Sequence, residues 1–212
     1  KEASYYGNFK KNPPEKLKAI AHRVETINSP DSIQRLKAMQ PDFLCFLGGD
    51  IARKEAIDCA STATLNYHSG LSPIYNGTKT VFQAVSDQRP NFAGGTLMYM
   101  NERIDGGKIL SHYLPAIEEK DTAADLFLKG IDGAAKTYIS FFKHIETMPL
   151  PEGVQQGRSV KFLRNIDWTI LNDMKLNWIG QNGIMKRYHR AEQLMEHFDL
   201  KTNFNIYELN TE

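Results

Sequence analysis

Asn66 and His68 lie two residues apart in the stretch ATLNYH, and their side-chain types suit acyl transfer. The stretch predicts a short strand, and residues at i and i+2 of a strand point to the same face. When an amine attacks an acyl carbon, a fixed amide donor such as Asn66 stabilises the developing oxyanion, by about 3 kcal/mol in comparable sites. His68 can accept the proton that the amine loses near neutral pH. The pair therefore predicts a site for acyl transfer to an amine.

Asp105 follows in the run RIDGGKIL and could complete this group. A carboxylate beside His68 would orient its ring, and the chemistry would need neither a covalent enzyme intermediate nor a metal. An alternative remains for the three residues taken alone. In that interpretation Asn66 caps a turn, His68 packs at the surface and Asp105 closes the turn before Gly106 and Gly107.

The elements that would position these side chains alternate between helix and strand. SPDSIQRLKAMQ predicts a helix capped by Ser29 or Asp31, and DFLCFLG predicts a buried strand. AGGTLMYM and KILSHYLPA predict strands on either side of Asp105. The alternation predicts an α/β fold with a doubly wound, mostly parallel sheet. Ligands bind such sheets beyond the carboxyl ends of the strands, where His68 would lie.

A second part of the chain is predicted to begin near residue 150. Before it, Thr122 and Asp125 predict a capped helix. Its apolar stripe is expected to face the core: Leu126, Phe127, Ile131, Tyr138, Ile139 and Phe142. We predict a catalytic core over residues 1–150 and a C-terminal extension over residues 151–212, with one strand and helical patterns around 168–178 and 183–198. His189 and His197 are interpreted as solvated helix residues, since a third metal ligand is lacking.

The length, composition and net charge limit the possible classes of fold and function. The chain has 212 residues, 41% of them hydrophobic, and a formal net charge of +1. It can bury a core as one domain with a small addition. The near-neutral net charge argues against a general nucleic-acid-binding protein. The sequence has no run that would span a bilayer, and Cys45 and Cys59 form no CxxC pair, with Cys45 predicted to be buried. These features predict a cytoplasmic protein without membrane attachment.

Two longer stretches carry a family resemblance. NYHSGLSPIYNG and AGGTLMYMNERIDGGKIL, followed by the helix from about Asp121, resemble the folate-dependent formyltransferase family in order and spacing, roughly over residues 33–145. The resemblance implies transfer of a formyl group from 10-formyltetrahydrofolate, with Asn66, His68 and Asp105 as catalytic residues and no metal. It also implies folate contacts from the following residues: Gly49, Asp50, Ile51, Ile57, Met100, Asn101, Glu102 and Ile104. Tyr75 lies in the loop beside the acceptor's entry, where it would contact the substrate or pack the loop.

Some positions depart from the family's usual loop sequence, namely Gly70, Ser72, Asn76 and Met98. These changes leave the triad intact, so they bear on the acceptor more than on the chemistry. Too little chain follows for the C-terminal barrel of the tRNA enzymes, so we expect a small amine acceptor such as a nucleotide-linked amino sugar. Two alternatives remain open: a deformylase that hydrolyses the same folate, and a non-enzymatic folate-binding module.

The resemblance implies two further features. The catalytic Asn lies earlier in this chain than in the family, so the first strand and helix of the fold are expected to be missing. The C-terminal extension is expected to form a homodimer through Trp168, Trp178 and the last helix.

Overall fold

The computed structural model describes residue 15 and residues 20–199. Its main sheet consists of β1 (Phe43–Leu47), β2 (Ala63–His68), β4 (Gly95–Tyr99), β5 (Ile109–Leu114) and β7 (Gln193–Glu196), which are neighbours in that order. A second, two-stranded sheet pairs β3 (Tyr75–Gly77) with β6 (Lys161–Leu163).

The main sheet is mixed. β1 and β2 pair in parallel, whereas the pairs β2 with β4, β4 with β5 and β5 with β7 are antiparallel. A short connection over residues 100–108 joins β4 to β5, and such a connection requires antiparallel neighbours. Within the main sheet, the predicted parallel pairing is therefore met, among the described strands, only at β1 and β2; in the second sheet β3 and β6 also pair in parallel. β1 lies at one edge of the described main sheet, and Cys45 on it is exposed rather than buried as predicted.

The described helices are α1 (Pro30–Met39), α2 (Lys54–Ile57), α3 (Thr80–Ser86), α4 (Ala123–Ile145) and α5 (Ile170–Gln181). Ser29 caps α1 by accepting from the backbone N–H of Ser32, as its sequence predicts. Thr122 and Asp125 form the predicted capping box at the start of α4. No helix in the described part of the chain is long and apolar enough to cross a membrane.

The core lies between α4 and the main sheet. Leu126 and Phe141 of α4 are fully buried, and the ring of Phe141 meets that of Phe43 edge to face at 6.0 Å. The predicted stripe on α4 is only partly correct, because Ile139 is 55% exposed. Ile139 follows Tyr138 directly, and one step along a helix turns a side chain by about 100° away from the buried face.

The segment beyond residue 150 packs along the core. β6 pairs with β3, and β7 pairs with β5. The prediction of a helix around residues 183–198 is wrong: a 3₁₀ turn (Ile184–Arg187) and β7 occupy this stretch, because its backbone pairs with β5. His197 is buried rather than solvated, with its Nε2 2.8 Å from Nδ1 of His112. The expected absence of the first strand and helix of the fold stays a prediction.

Candidate active site

Asn66 and His68 occupy the end of β2. Tyr67 between them points to the opposite face, where its hydroxyl donates to the Gly130 carbonyl oxygen at 2.5 Å. His68 is buried and Asn66 is half-buried, and both line the same cavity. The strand alternation thus places an amide and an imidazole side by side, as the sequence predicts.

Asp105 lies in the connection between β4 and β5 and faces His68. Its Oδ1 is 3.3 Å from Nδ1 of His68, and its Oδ2 accepts a hydrogen bond from the Gly77 N–H at 2.8 Å. Both side chains of the His68–Asp105 pair are less than a tenth exposed. All three residues line one cavity, and the Asp105 carboxylate lies against the imidazole of His68.

The second ring nitrogen of His68 has a different partner. Nε2 lies 3.1 Å from the carbonyl oxygen of Tyr75. A carbonyl oxygen only accepts hydrogen bonds, so Nε2 carries a proton in this arrangement. Nδ1 faces a carboxylate oxygen of Asp105, which also accepts hydrogen bonds, so both ring nitrogens point at acceptors that hold the ring in place.

A cavity of about 920 Å³ opens beside these side chains. This volume is within the range of small-molecule sites. Two facing walls are formed by the loop after β1 and by the segment before Asp105. They contain most of the residues that the family resemblance assigns to folate: Gly49, Asp50, Ile51, Met100, Asn101, Glu102 and Ile104.

Two of the predicted binding residues lie elsewhere. Ile57 packs in a small cluster with Ile33 and Ala56 and is not among the described residues that line the cavity. The Tyr75 side chain is buried, and its hydroxyl donates to Oδ2 of Asp87 at 3.0 Å. Burial raises the pKa of Tyr75, so its hydroxyl remains a donor. The contribution of Tyr75 to the site is its backbone carbonyl, and a side-chain contact with substrate is not supported.

Sequence reasoning missed other parts of the wall. Phe127 and Ile131 of α4 line the cavity, although their spacing alone was interpreted as core packing. Lys79 lies at the cavity with its ammonium 5.0 Å from the Trp168 ring centre. Residues 162–165 also line it, because β6 pairs with β3. No local pattern predicts such a long-range pairing.

Comparisons with known proteins identify the family of this chain. The family model for formyl transferases matches residues 8–141. The methionyl-tRNA formyltransferase of Methylacidiphilum infernorum (isolate V4) is 30% identical in an alignment of 169 residues that covers 74% of this chain and 52% of that protein. The chain spans about half the length of the curated relatives it matches.

Solved structures show the same fold. A sugar N-formyltransferase from Shewanella sp FDAARGOS_354 superposes with a TM-score of 0.59 at 17% identity, covering 78% of this chain and 70% of that one. An N-formyltransferase from Helicobacter canadensis, in complex with folinic acid and dTDP-3-aminofucose, gives 0.51 at 22% identity, covering 59% and 46%. The match of the family model over more than half of the chain confirms the resemblance read from the sequence, and the chain belongs to the formyl transferase family.

Proposed function

We propose that this chain transfers a formyl group from 10-formyltetrahydrofolate to the amine of a small acceptor. The observation that carries the proposal is the meeting of Asn66, His68 and Asp105 at the wall of one cavity. An amide donor, a proton acceptor and an orienting carboxylate are the groups that acyl transfer to an amine requires. Membership of the formyl transferase family supports the same chemistry.

Each residue has one task in this reaction. Asn66 donates to the formyl oxygen as negative charge develops on it. His68 accepts the proton of the attacking amine, while the Tyr75 carbonyl and Asp105 hold its ring in place. Asp105, 3.3 Å away, stabilises the imidazolium that forms. As the bond between the formyl carbon and the folate nitrogen breaks, that nitrogen takes the proton back from His68 and tetrahydrofolate leaves, so the direct attack needs no covalent intermediate on the protein.

The cavity walls fit the flat ring system of a folate. Leu47, Ile51 and Ile104 expose apolar side chains at the cavity, with 50%, 64% and 46% of their surfaces accessible. Gly48 and Gly49 have positive φ, and apart from their chain neighbours no atom of the described residues lies within 4 Å of the position of a Cβ there. Backbone polar groups of this loop are therefore open to a ligand, between apolar surfaces that would hold a ring. When bound, the donor supplies the activated formyl group.

We further propose a nucleotide-linked amino sugar as the acceptor. Lys79, Arg103 and Arg164 line the cavity and would suit the phosphates of a nucleotide. Arg164 is held in place by Asp167, with Nη2 and Oδ1 at 2.9 Å. The Helicobacter canadensis protein was solved with dTDP-3-aminofucose, which is an acceptor of this class.

The test is an assay of tetrahydrofolate release from 10-formyltetrahydrofolate, with and without a panel of amines that includes nucleotide-linked amino sugars. Release that requires one of these amines would support the transferase and identify its acceptor class. Release without any amine would instead indicate a deformylase. Binding of the folate without release for any amine would contradict the proposal and leave a folate-binding module.

A further inference from the structure

The segment after α4 runs along the connection that carries Asp105. Val154 exchanges two backbone hydrogen bonds with Ile109, at 2.7 and 2.8 Å, just beyond the end of this connection. The hydroxyl of Tyr99, at the other end of the connection, donates to the Pro151 carbonyl oxygen. The segment is thus fixed to both strands that flank Asp105.

Gln156 extends from this segment to the backbone around Asp105. Its Nε2 donates to the carbonyl oxygen of Asp105 at 2.8 Å and to that of Gly107 at 2.6 Å. A carboxamide nitrogen has two hydrogens, so one side chain serves both carbonyls. Gln156 is half-buried and is not among the described residues that line the cavity, so its contacts lie behind the site.

Asn76 holds the same carbonyl from a second direction. Its Nδ2 donates to the Asp105 carbonyl oxygen at 3.1 Å, and Asn76 is 3% exposed. The next residue, Gly77, donates its N–H to the Asp105 carboxylate. Asp105 has a φ of +50°, a backbone region that costs energy for a residue with a side chain and that needs restraint from its surroundings. These donors supply that restraint.

We propose that Gln156 is a positioning residue for the reaction. Its carboxamide acts with that of Asn76 to hold the Asp105 turn, so that the carboxylate stays against Nδ1 of His68. The part of this inference that concerns the reaction rate rests on the proposed formyl transfer. Gln156 lies beyond residues 8–141, so the family match assigns it no role. The C-terminal segment therefore completes the catalytic geometry as well as packing on the core.

Gln156→Glu is the decisive variant. The glutamate has the same shape but lacks both N–H donors, and it places a carboxylate against two carbonyl oxygens. Gln155→Glu is the matched control, since it makes the same charge change at the adjacent exposed glutamine. For Gln156→Glu we expect kcat to fall at least about tenfold, because a misplaced catalytic group slows the chemical step. KM for the folate should stay within about twofold, and Gln155→Glu should match the unmodified chain.

Hydrogen exchange of the Gly77 amide gives a readout that does not depend on activity. This amide donates to Asp105 Oδ2, so a loosened Asp105 turn should raise its exchange rate at least about tenfold in Gln156→Glu. If the unmodified chain shows no formyl transfer, the proposed function fails, and the exchange rate alone decides whether Gln156 positions Asp105.

Gln156→Met is the second variant, should the glutamate prevent folding. It is uncharged and of similar length, and it also lacks the donors. The inference would be overturned if the folded variant kept kcat within about twofold, if Gly77 exchange were unchanged, or if Gln155→Glu lost as much activity. A variant that lost only thermal stability would likewise show that Gln156 is a packing residue alone.

Discussion

At the scale of single residues, both the backbone and the side chain of Asp105 are constrained in the candidate site. Its backbone has a φ of +50°, and its two carboxylate oxygens face different partners, His68 and the Gly77 amide. Aspartate and asparagine tolerate this backbone region better than most residues with side chains. Replacement by asparagine therefore removes the charge while keeping the shape and the conformation.

We predict that Asp105→Asn lowers kcat for formyl transfer by at least about 100-fold, because the imidazolium of His68 loses its carboxylate partner. The free energy of unfolding should change by less than about 1 kcal/mol, since the amide oxygen can still accept from Gly77. Steady-state kinetics and urea unfolding measure the two quantities. Asp58→Asn, at an exposed aspartate paired with Lys54, is the control and should leave the rate unchanged. A near-normal rate in Asp105→Asn would remove Asp105 from the mechanism.

At the scale of elements, α4 shows how closely a helix approaches the sheet. A Cβ on Gly133 would lie 2.0 Å from Cδ1 of Tyr113, whereas a Cβ on Gly130, one turn earlier, would meet nothing within 4 Å. The two glycines share one helix and differ in what faces them. They form a matched pair for testing the packing of α4 on β5.

We expect Gly133→Ala to destabilise the fold by about 1–3 kcal/mol, because Tyr113 must move out of a filled core. Gly130→Ala should instead stabilise it by about 0.5–1 kcal/mol, since alanine loses less backbone freedom in a helix. Chemical unfolding of both variants checks the pair. Equal effects of the two substitutions would show that α4 does not lie as close to β5 as described.

A second element-scale feature is the buried histidine pair that joins β5 to the residue after β7. Burial, and then the neighbouring His197, lower the pKa of His112, and burial lowers that of His197. Histidine in the unfolded chain titrates near 6.5. Above that pH both states are neutral and the stability is fully present. As the pH falls below it, the unfolded state binds protons that the folded state resists, so the free energy of unfolding decreases.

We therefore predict that the chain is less stable at pH 5 than at pH 7.5, and that His197→Gln weakens this dependence. The substitution removes one of the two groups with a lowered pKa while leaving a side chain that can bond to His112. Urea midpoints of both proteins at the two pH values measure the effect. An identical pH dependence in the variant would show that the histidine pair does not titrate on unfolding.

Local patterns predicted some elements and failed at others for a physical reason. The starts of α1 and α4 follow from Ser29 and from Thr122 with Asp125, because caps are local chemistry. β7 was mistaken for a helix because its strand form depends on hydrogen bonds to β5, which is distant in sequence. The helix caps and most strands could be predicted from local sequence, whereas β7, whose form depends on β5, could not.

The candidate site, too, could be predicted only in part from local sequence. Asn66 and His68 were predictable as a pair because strand alternation is local. The role of Gln156 behind Asp105 was not, because a turn and a segment fifty residues apart meet only after the sheet forms. Tyr75 was placed in the correct loop, but its side chain points into the core and its carbonyl serves the site.

At the scale of the whole molecule, α5 and the turn before it present an apolar surface to solvent. Ile166, Ile170, Leu171, Met174 and Trp178 are all at least 61% exposed. Trp168, expected at a dimer interface, instead packs on Phe82 with ring centres 6.4 Å apart. An apolar surface of this extent is typical of an interaction site. Trp178, predicted at a homodimer interface, lies on this surface, whereas the last helix predicted there does not form because β7 occupies that stretch.

We predict that the chain forms dimers through this surface and that Met174→Glu shifts it toward monomer, because a buried charge without a partner is costly. Gln155→Glu, with the same charge change at an exposed position outside α5, is the control and should leave the mass unchanged. Light scattering over a range of concentrations measures the assembly. A monomeric mass for the unmodified chain at high concentration would refute the dimer.

The most direct test of the central claim follows the formyl carbon itself. The chain is incubated with 10-formyltetrahydrofolate labelled with ¹³C in the formyl group and with a nucleotide-linked amino sugar, and the label is traced by NMR. The geometry of Asn66, His68 and Asp105 predicts that the label appears in a formamide on the sugar and that His68→Ala abolishes its appearance. Label that appeared in formate, or in the formamide equally with His68→Ala, would contradict it.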